Sequence, residues 1–577
     1  MDDKPGMPPA LSTTQPDLGV PAERAAHYRR QGWWRPELVD VLALAPGEVD
    51  GEREALVGSR TRLTRAQLSA AVSGCAARLA AAGLEPGERV VLQLPNDVES
   101  VVLALALITL GVPPVLTRPA LRDHELNHLL ASIRPAAVAV PVHYDGFGFL
   151  AMAQRLRVTH SSVRLLLVSD VGDGVTLGSG QLDLARLCAP AGSDVASLVE
   201  VDRRPCDVAL YVMSNGTTGL PKAVPRTHEA YAHMFRTAAQ ASEVTSESVY
   251  LALMSLTSNF VFGCPGVVGT LAAGGRVVVS RPQDPASALE LIARERVTFC
   301  AMSPSTARDW VIAAGSVRHD LSHLVVHVGG ARLDEATAAR LTDGLGCRLQ
   351  QVYGMTEGLL NFTRLDDPGE IIRATQGRPA SPGVEILLVD DAGRPVPDGE
   401  TGELIARGPS VTAVYHNDAS PTSFTAEGYY RTGDLAYRHE SGNFVMVGRV
   451  KDVINKDDEK IPADELEALV LTYPGVRNAA AVAMPHAKWG EAVCLYVVGG
   501  KDGAPELPEM RAHLQQAGLA PFKLPERLIA LPAMPLVGIG KIDKVRLRAD
   551  AAARVEAETA TTEPEPVAAD ETREAGQ

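Results

Sequence analysis

The sequence has no CxxC pair. Its seven cysteines, Cys75, Cys188, Cys206, Cys264, Cys300, Cys347 and Cys494, stand singly. That spacing argues against a thiolate zinc site and a disulfide framework. The opening MDDKPGMPPALSTTQPDLG lacks the basic and apolar regions of a signal peptide. No apolar run reaches membrane-spanning length: the most apolar stretch, Val101 to Val115, is broken by Gly111, Pro113 and Pro114 and reads as a buried helix. Positive charge is not in excess either. The net charge is −15, which argues against a general nucleic-acid-binding surface while leaving room for a local basic site. No repeat of solenoid length is visible. These absences lead to an expectation of a reduced cytoplasmic protein with neither a membrane nor a nucleic-acid partner.

What remains is a chain of 577 residues, 46% hydrophobic and 22% charged, too long for one core and expected to form at least two domains. Residues 1–20 are rich in Pro, Ser and Thr, and residues 549–577 are acidic and lack aromatics. Both read as disordered. Between them apolar strands alternate with helices. RVVLQL (89–94), DVESVVLALALITLG (97–111) and PVL (114–116) give strand, helix and strand. DVALYVM (207–213), RVVVS (276–280), VTFCAM (297–302), LVVHVG (324–329) and RLQQVYG (348–354) are further strands. Near-continuous apolar strands separated by helices predict a mainly parallel α/β sheet, with ligands at the carboxyl ends of the strands. After about residue 380, VEILLVD, GELIARG and FVMVGR predict a β-rich subdomain. A small α+β unit is expected to start near Arg449. The predicted division is 21–448 for the large domain and 449–548 for the small one.

The loop Ser214-Asn-Gly-Thr-Thr-Gly-Leu-Pro-Lys222 follows a predicted strand. Its glycines permit a tight turn and close approach of backbone to a phosphate, and its hydroxyls and lysine supply donors. It lacks the GxxxxGK[ST] spacing of a Walker A loop. The nine-residue string resembles the phosphate loop of the adenylate-forming family, which contains acyl-CoA synthetases, luciferases and peptide-synthetase adenylation domains. Further family segments follow in order: Tyr353-Gly-Met-Thr-Glu357, Tyr430-Arg-Thr-Gly-Asp434, Gly448-Arg-Val-Lys-Asp452 and Pro535-Leu-Val-Gly-Ile-Gly-Lys541. The resemblance spans roughly residues 20 to 548.

The resemblance implies ATP and Mg2+ as cofactors and a carboxylic acid as substrate. It assigns ATP or AMP to Ser214, Gly216, Thr217, Thr218, Gly219, Lys222, Gly329, Gly330, Ala331, Arg332, Val352, Tyr353, Gly354, Asp434 and Arg449. Tyr353 would stack on adenine, and Asp434 would accept the ribose hydroxyls with help from Arg449. Thr356 would touch the α-phosphate, Glu357 would hold the magnesium ion, and His228 joins Lys541, Thr356 and Glu357 as a catalytic candidate. Two anions must meet in such a reaction, so positive charge has to gather at the reacting centre; Lys541 is the candidate to bridge the carboxylate and the α-phosphate. Lys451 is the implied hinge about which the small domain swings for the second step.

Within that family, Tyr28-Arg-Arg-Gln-Gly-Trp-Trp34, Pro225-Arg-Thr-His228, Gly358-Leu-Leu-Asn-Phe-Thr-Arg-Leu-Asp-Asp367 and Phe522-Lys-Leu-Pro525 resemble the stand-alone aryl-acid ligases of siderophore and peptide-antibiotic pathways. Their pocket maps onto Asn259, Phe260, Cys264, Ser303, Gly330 and Leu360. Cysteine is a poor hydrogen-bond partner for a second ring hydroxyl and leucine fills volume, so salicylate is expected ahead of 2,3-dihydroxybenzoate. Ser258 replaces the subfamily's histidine and leaves other hydroxy- or amino-(hetero)aryl acids open. Asp457 and Asp458 replace a usual glycine pair. The implied acceptor is a separate phosphopantetheinylated carrier protein, with coenzyme A as the rival. An aryl- or acyl-CoA ligase, a luciferase-like oxygenase, an α-amino-acid module and a catalytically silent scaffold are the alternative readings. Intact Lys541, Asp434, Glu357 and Lys222 speak against the last, and the lack of a pocket aspartate speaks against the amino-acid module.

Overall fold

The computed structural model describes residues 19–562, except 46, 48, 191–200, 215–221, 282–283, 314–319, 417–422, 457–458, 487–488, 501–502, 518, 520 and 538–540. The chain divides into two compact units, the first reaching Met446 and the second beginning at Val447.

The first unit holds two large sheets. In the seven-stranded sheet, Gln181–Asp183, Leu165–Ser169, Ala137–Pro141, Val90–Leu92, Pro114–Leu116 and Val208–Met213 run parallel. The edge strand Ala223–Thr227 turns back antiparallel on Val208–Met213. The nine-stranded sheet is parallel through its centre, from Arg348–Gly354 through Val325–Gly329, Phe299–Met302, Val249–Ala252 and Arg276–Val279 to Glu54–Val57. Leu360–Phe362, Arg378–Pro379 and Arg62–Thr64 join it antiparallel. The helices Arg65–Ala81, Val98–Thr109, His228–Ala241 and Gly266–Ala272 share one core with both sheets, in which Leu92 and Val212 of one sheet and Val277 and Val325 of the other take part. Val98–Thr109 is buried from Ser100 to Ile108, which explains its uniformly apolar sequence: a helix covered all round needs no polar face. A β-rich part follows, in which Glu385–Val389, Gly402–Arg407 and Tyr430–Arg438 pair antiparallel. The fold is therefore the mixed α/β architecture expected from the strand–helix alternation.

The second unit packs the strands Val453–Lys456, Glu459–Pro462, Val476–His486, Gly490–Gly499 and Arg527–Ala530 against Ala463–Val470, Leu507–Gln516 and Lys544–Thr562. The chain divides two residues before the expected 448/449 boundary. A larger difference concerns the end of the small domain. The segment from Ala549 was expected to be unstructured, yet the last helix continues to Thr562. Its alanine-rich sequence favours helix intrinsically, and Leu547, Ala551 and Val555, spaced by four, lay one stripe on the core containing Tyr496 and Met534. Acidic composition over the whole tail masked that stripe. Residues 1–18 and 563–577 lie outside the described residues.

Candidate active site

The phosphate-loop strand ends at Met213, and its antiparallel return strand starts at Ala223, so Ser214 and Lys222 stand together at the carboxyl end of the Val208–Met213 strand. Gly216, Thr217, Thr218 and Gly219 lie outside the described residues. Ser214 is buried with its hydroxyl unpartnered. Thr356 Oγ1 donates to the Met213 carbonyl at 3.4 Å, which ties the Thr356–Glu357 segment to the end of that strand. Lys222 Nζ lies 4.8 Å from the centre of the Tyr415 ring. The Tyr415 hydroxyl donates to Glu357 Oε1 at 2.7 Å and meets Tyr430 Oη at 3.2 Å. Burial, reinforced by the Glu357 carboxylate, pushes the Tyr415 and Tyr430 phenols far up, so both remain neutral donors. A second pair stands alongside: Tyr353 Oη donates to Asp434 Oδ2 at 2.7 Å, and Asp434 is buried.

The backbone around Glu357 is fixed by an arginine. Arg226 is fully buried, and it donates to the Glu357 carbonyl at 3.1 Å and the Ser410 carbonyl at 2.7 Å. Gly358 next door has φ +107°, and a Cβ there would come 1.8 Å from the Ser410 carbonyl. Only glycine fits that turn. Arg226 stood in the quoted Pro225–His228 segment without a role, and Tyr415 was not singled out. A charge in a strand that is otherwise buried could have flagged the first. Nothing local marks the second, which acts through a partner 58 residues away.

Beside this cluster, the residues expected to line the acid site gather where the short helix Asn259–Gly263 meets the nine-stranded sheet. Asn259 opens the short helix Asn259–Gly263; its Oδ1 accepts from the Tyr231 hydroxyl at 3.1 Å, and its Nδ2 reaches Cys264 Sγ at 3.5 Å. Burial pushes the Cys264 thiol up to about 12, which keeps it a neutral, weakly polar wall. The Phe260 ring lies against the floor strand: a Cβ on Gly329 would stand 3.2 Å from it and 2.7 Å from the Val352 carbonyl. Gly330, at φ +89°, turns the chain out of that strand, with Ala331 and Arg332 exposed beyond it. Leu360 pairs with Gly354 across the next strands and fills the space a Gly354 Cβ would need. Ser303 is buried and caps the following helix through the Thr306 amide at 3.2 Å.

One expected catalytic residue is not brought to this place. His228 sits at the far end of the return strand, where its amide donates to the Asp207 carbonyl. Its Nδ1 accepts from the Val39 amide at 3.1 Å, and burial lowers its pKa to about 4. The five strand residues Ala223–Thr227 lie between it and Lys222, six extended steps of roughly 20 Å, so the structure places His228 as a neutral, hydrogen-bonded histidine away from Lys222.

Within the second unit, Lys541 opens the strand Lys541–Ile542, paired antiparallel with Leu536–Val537. Lys451 lies in the turn Val450–Asp452, and Arg449 ends the strand before it. Asp457 and Asp458 lie outside the described residues. Asp452 binds Arg548 and Lys544, and Lys544 also reaches Asp464 and Glu467 at 3.1 and 2.9 Å. The end of the implied hinge is therefore held to the helix that follows Lys541.

The AMP-binding enzyme family model matches residues 46–416, and the model of the AMP-binding enzyme C-terminal domain matches 465–541. The chain belongs to the AMP-binding enzyme family, whose members form acyl-adenylates from ATP and acids. It is 42% identical to a Streptomyces protein named salicylyl-CoA synthase / salicylate adenylyltransferase, over 92% of this chain and 96% of the other. It is 38% identical to the 2,3-dihydroxybenzoate-AMP ligase of Bacillus subtilis, again over 92% and 96%. Among solved structures it is similar to apo MbtA of Mycobacterium smegmatis, with TM-score 0.69, 36% identity and coverage of 92% of this chain and 98% of that one. Among the described residues, no helix is long and apolar enough to cross a membrane.

Proposed function

We propose that this enzyme adenylates an aryl carboxylic acid of the salicylate type. The observation that carries this reading is the junction of two groups of residues in one unit: a cluster of Lys222, Tyr415, Glu357, Tyr353 and Asp434 suited to a nucleotide, and beside it the largely apolar set Asn259, Phe260, Cys264 and Leu360, whose residue types suit a flat ring. A carboxylate oxygen attacks the α-phosphorus of ATP. The bond from the α-phosphorus to the bridging oxygen breaks, and pyrophosphate leaves with the electron pair. The product is an aroyl-adenylate, a mixed carboxylic–phosphoric anhydride.

The residues divide this work. Asp434, held by the Tyr353 hydroxyl, accepts from the ribose, with Arg449 assisting. Ser214, Lys222 and the intervening loop meet the phosphates. Thr356, fixed to the end of the phosphate-loop strand, donates at the α-phosphate. Asn259 reads the ortho-hydroxyl of the acid while Tyr231 holds its Oδ1. Lys541 supplies the ammonium that brings the carboxylate and α-phosphate together. Glu357 offers a hard oxygen ligand that fits a magnesium ion beside ATP phosphates; when bound, the ion would neutralise charge on the leaving pyrophosphate. Arg226 holds the Glu357 backbone in place.

The second step transfers the acyl group to a thiol and releases AMP. A separate phosphopantetheinylated carrier protein in siderophore or peptide assembly is the proposed acceptor, reached by rotation about Lys451, and the reaction is placed in the cytoplasm. Coenzyme A is the second reading, favoured by the double name of the Streptomyces relative. Acid-dependent ATP–pyrophosphate exchange over aryl, fatty and amino acids tests the first step. Exchange confined to hydroxylated aryl acids is the expected result, and exchange with fatty or amino acids alone would refute it.

A further inference from the structure

The strand that carries Gly329 also carries a buried histidine with no hydrogen-bond partner. His327 lies in the strand Val325–Gly329, is 1% exposed, and neither ring nitrogen has a hydrogen-bond partner. A neutral imidazole carries one N–H and one lone pair, and burying both unpaired is costly. Its charged form is disfavoured still more: burial pulls its pKa down to about 3.

Its position follows from the pleat. Alternate residues of a strand share a face, so His327 lies on the same face as Gly329, the residue covered by the Phe260 ring. It stands one pleat deeper, about 6.6 Å along the strand. The neighbouring strands are in register there: His327 pairs with Ala301, and Tyr250 and Leu251 pair with Phe299 and Cys300, which brings Ala252 level with Ala301. Two alanines thus lie level with His327 on the neighbouring strands and offer it no polar partner, and the Phe362 ring stands 6.1 Å from the imidazole in an edge-on contact. Below them Phe299 packs 5.5 Å from the His327 ring and 4.8 Å from the Tyr250 ring. The Tyr250 hydroxyl is a second fully buried polar group without a partner. Asn361 is also orphaned but belongs to the opposite face, since its neighbours Leu360 and Phe362 are the ones that join the pocket-side core.

We infer that His327 is a specificity-determining residue that reads a hydroxyl or amino group on the sheet-facing edge of the aryl acid. The preferred substrate is then a salicylate-type acid carrying a second polar substituent, distinct from the ortho-hydroxyl assigned to Asn259. This rests on the aryl-acid reading above. It also differs from a 2,3-dihydroxybenzoate pocket. There the second hydroxyl would meet the Cys264 position on the helix side, whereas His327 belongs to the sheet.

The test uses the full-length enzyme and a set of salicylates bearing a hydroxyl, an amino or a methyl group at each remaining ring position in turn. ATP–pyrophosphate exchange gives kcat/KM for each, and calorimetry with the matching non-hydrolysable acyl-adenylate analogues gives Kd. At one ring position the polar substituent should be favoured over methyl by about tenfold or more, the size of one buried hydrogen bond. In His327→Leu that ratio should fall to one or invert, while His327→Gln, which retains a donor and an acceptor, should keep part of it. Using a ratio within one variant cancels any general loss of folded enzyme. Equal treatment of polar and methyl substituents by the wild type, or an unchanged ratio in His327→Leu, overturns the inference: a trapped water then satisfies the imidazole. Absence of exchange with every aryl acid instead overturns the aryl-acid reading itself, and this inference with it.

Discussion

The hydrogen bond between Tyr415 and Glu357 offers the sharpest test of the nucleotide site. Tyr415→Phe removes one oxygen and leaves the ring beneath Lys222 in place. The O–H···O contact is 2.7 Å long and both residues are 6% exposed. A bond of this kind to a carboxylate contributes about 1.5–3 kcal/mol, and about 1.4 kcal/mol is tenfold in rate. If Glu357 acts in adenylation in the geometry held by Tyr415, Tyr415→Phe should slow ATP–pyrophosphate exchange about ten- to a hundredfold. Glu357→Gln should slow it further, and Tyr415→Phe added to Glu357→Gln should cost little more. A double-mutant cycle on kcat/KM isolates the coupling. A coupling energy below about 0.5 kcal/mol, within ordinary additivity error, would refute the argument that Tyr415 orients the carboxylate.

The other tests are simpler. Lys541→Ala should lower exchange about a hundred- to a thousandfold, as expected for loss of one preorganised donor, with circular dichroism unchanged; a smaller loss than tenfold would remove Lys541 from the reaction. Asp434→Ala should raise the KM for ATP while leaving the KM for the acid nearly as it was, and equal rises in both would contradict a ribose role. Gly358→Ala must place a Cβ on the Ser410 carbonyl at a positive φ, so the first unit should lose at least about 1–3 kcal/mol in denaturant unfolding. Acid stability follows from burial of His228, His233 and His327, lowered by desolvation to about 4, 4 and 3. The unfolded chain binds protons at these sites below pH 6.5 and the folded chain does not. Stability is therefore full above 6.5 and falls as pH drops toward 4, by about 2 kcal/mol per histidine at pH 5. Flat stability between pH 7 and 5 would show these histidines to be solvated.

Much of this molecule could be read along the chain. The parallel sheets followed from apolar strands alternating with helices, because period and burial are local consequences of side-chain order. Family membership followed from five motifs in the right sequence. The acid class followed from Asn259, Cys264 and Leu360, whose residue types limit what a pocket can bind. Three matters were decided only in three dimensions. His228 carries the right chemistry in the right motif, but an extended strand separates it from Lys222 and the Val39 amide takes its nitrogen. Arg226 and Tyr415 matter through partners far along the chain, Glu357 and Ser410, and no local pattern reports a contact across that separation. Helix formation beyond Ala549 depended on Leu547, Ala551 and Val555 finding the Tyr496 core. Side-chain order fixes which chemistry is available; which of those groups meet, and which are left buried without a partner like His327, depends on how the sheets and helices close on one another.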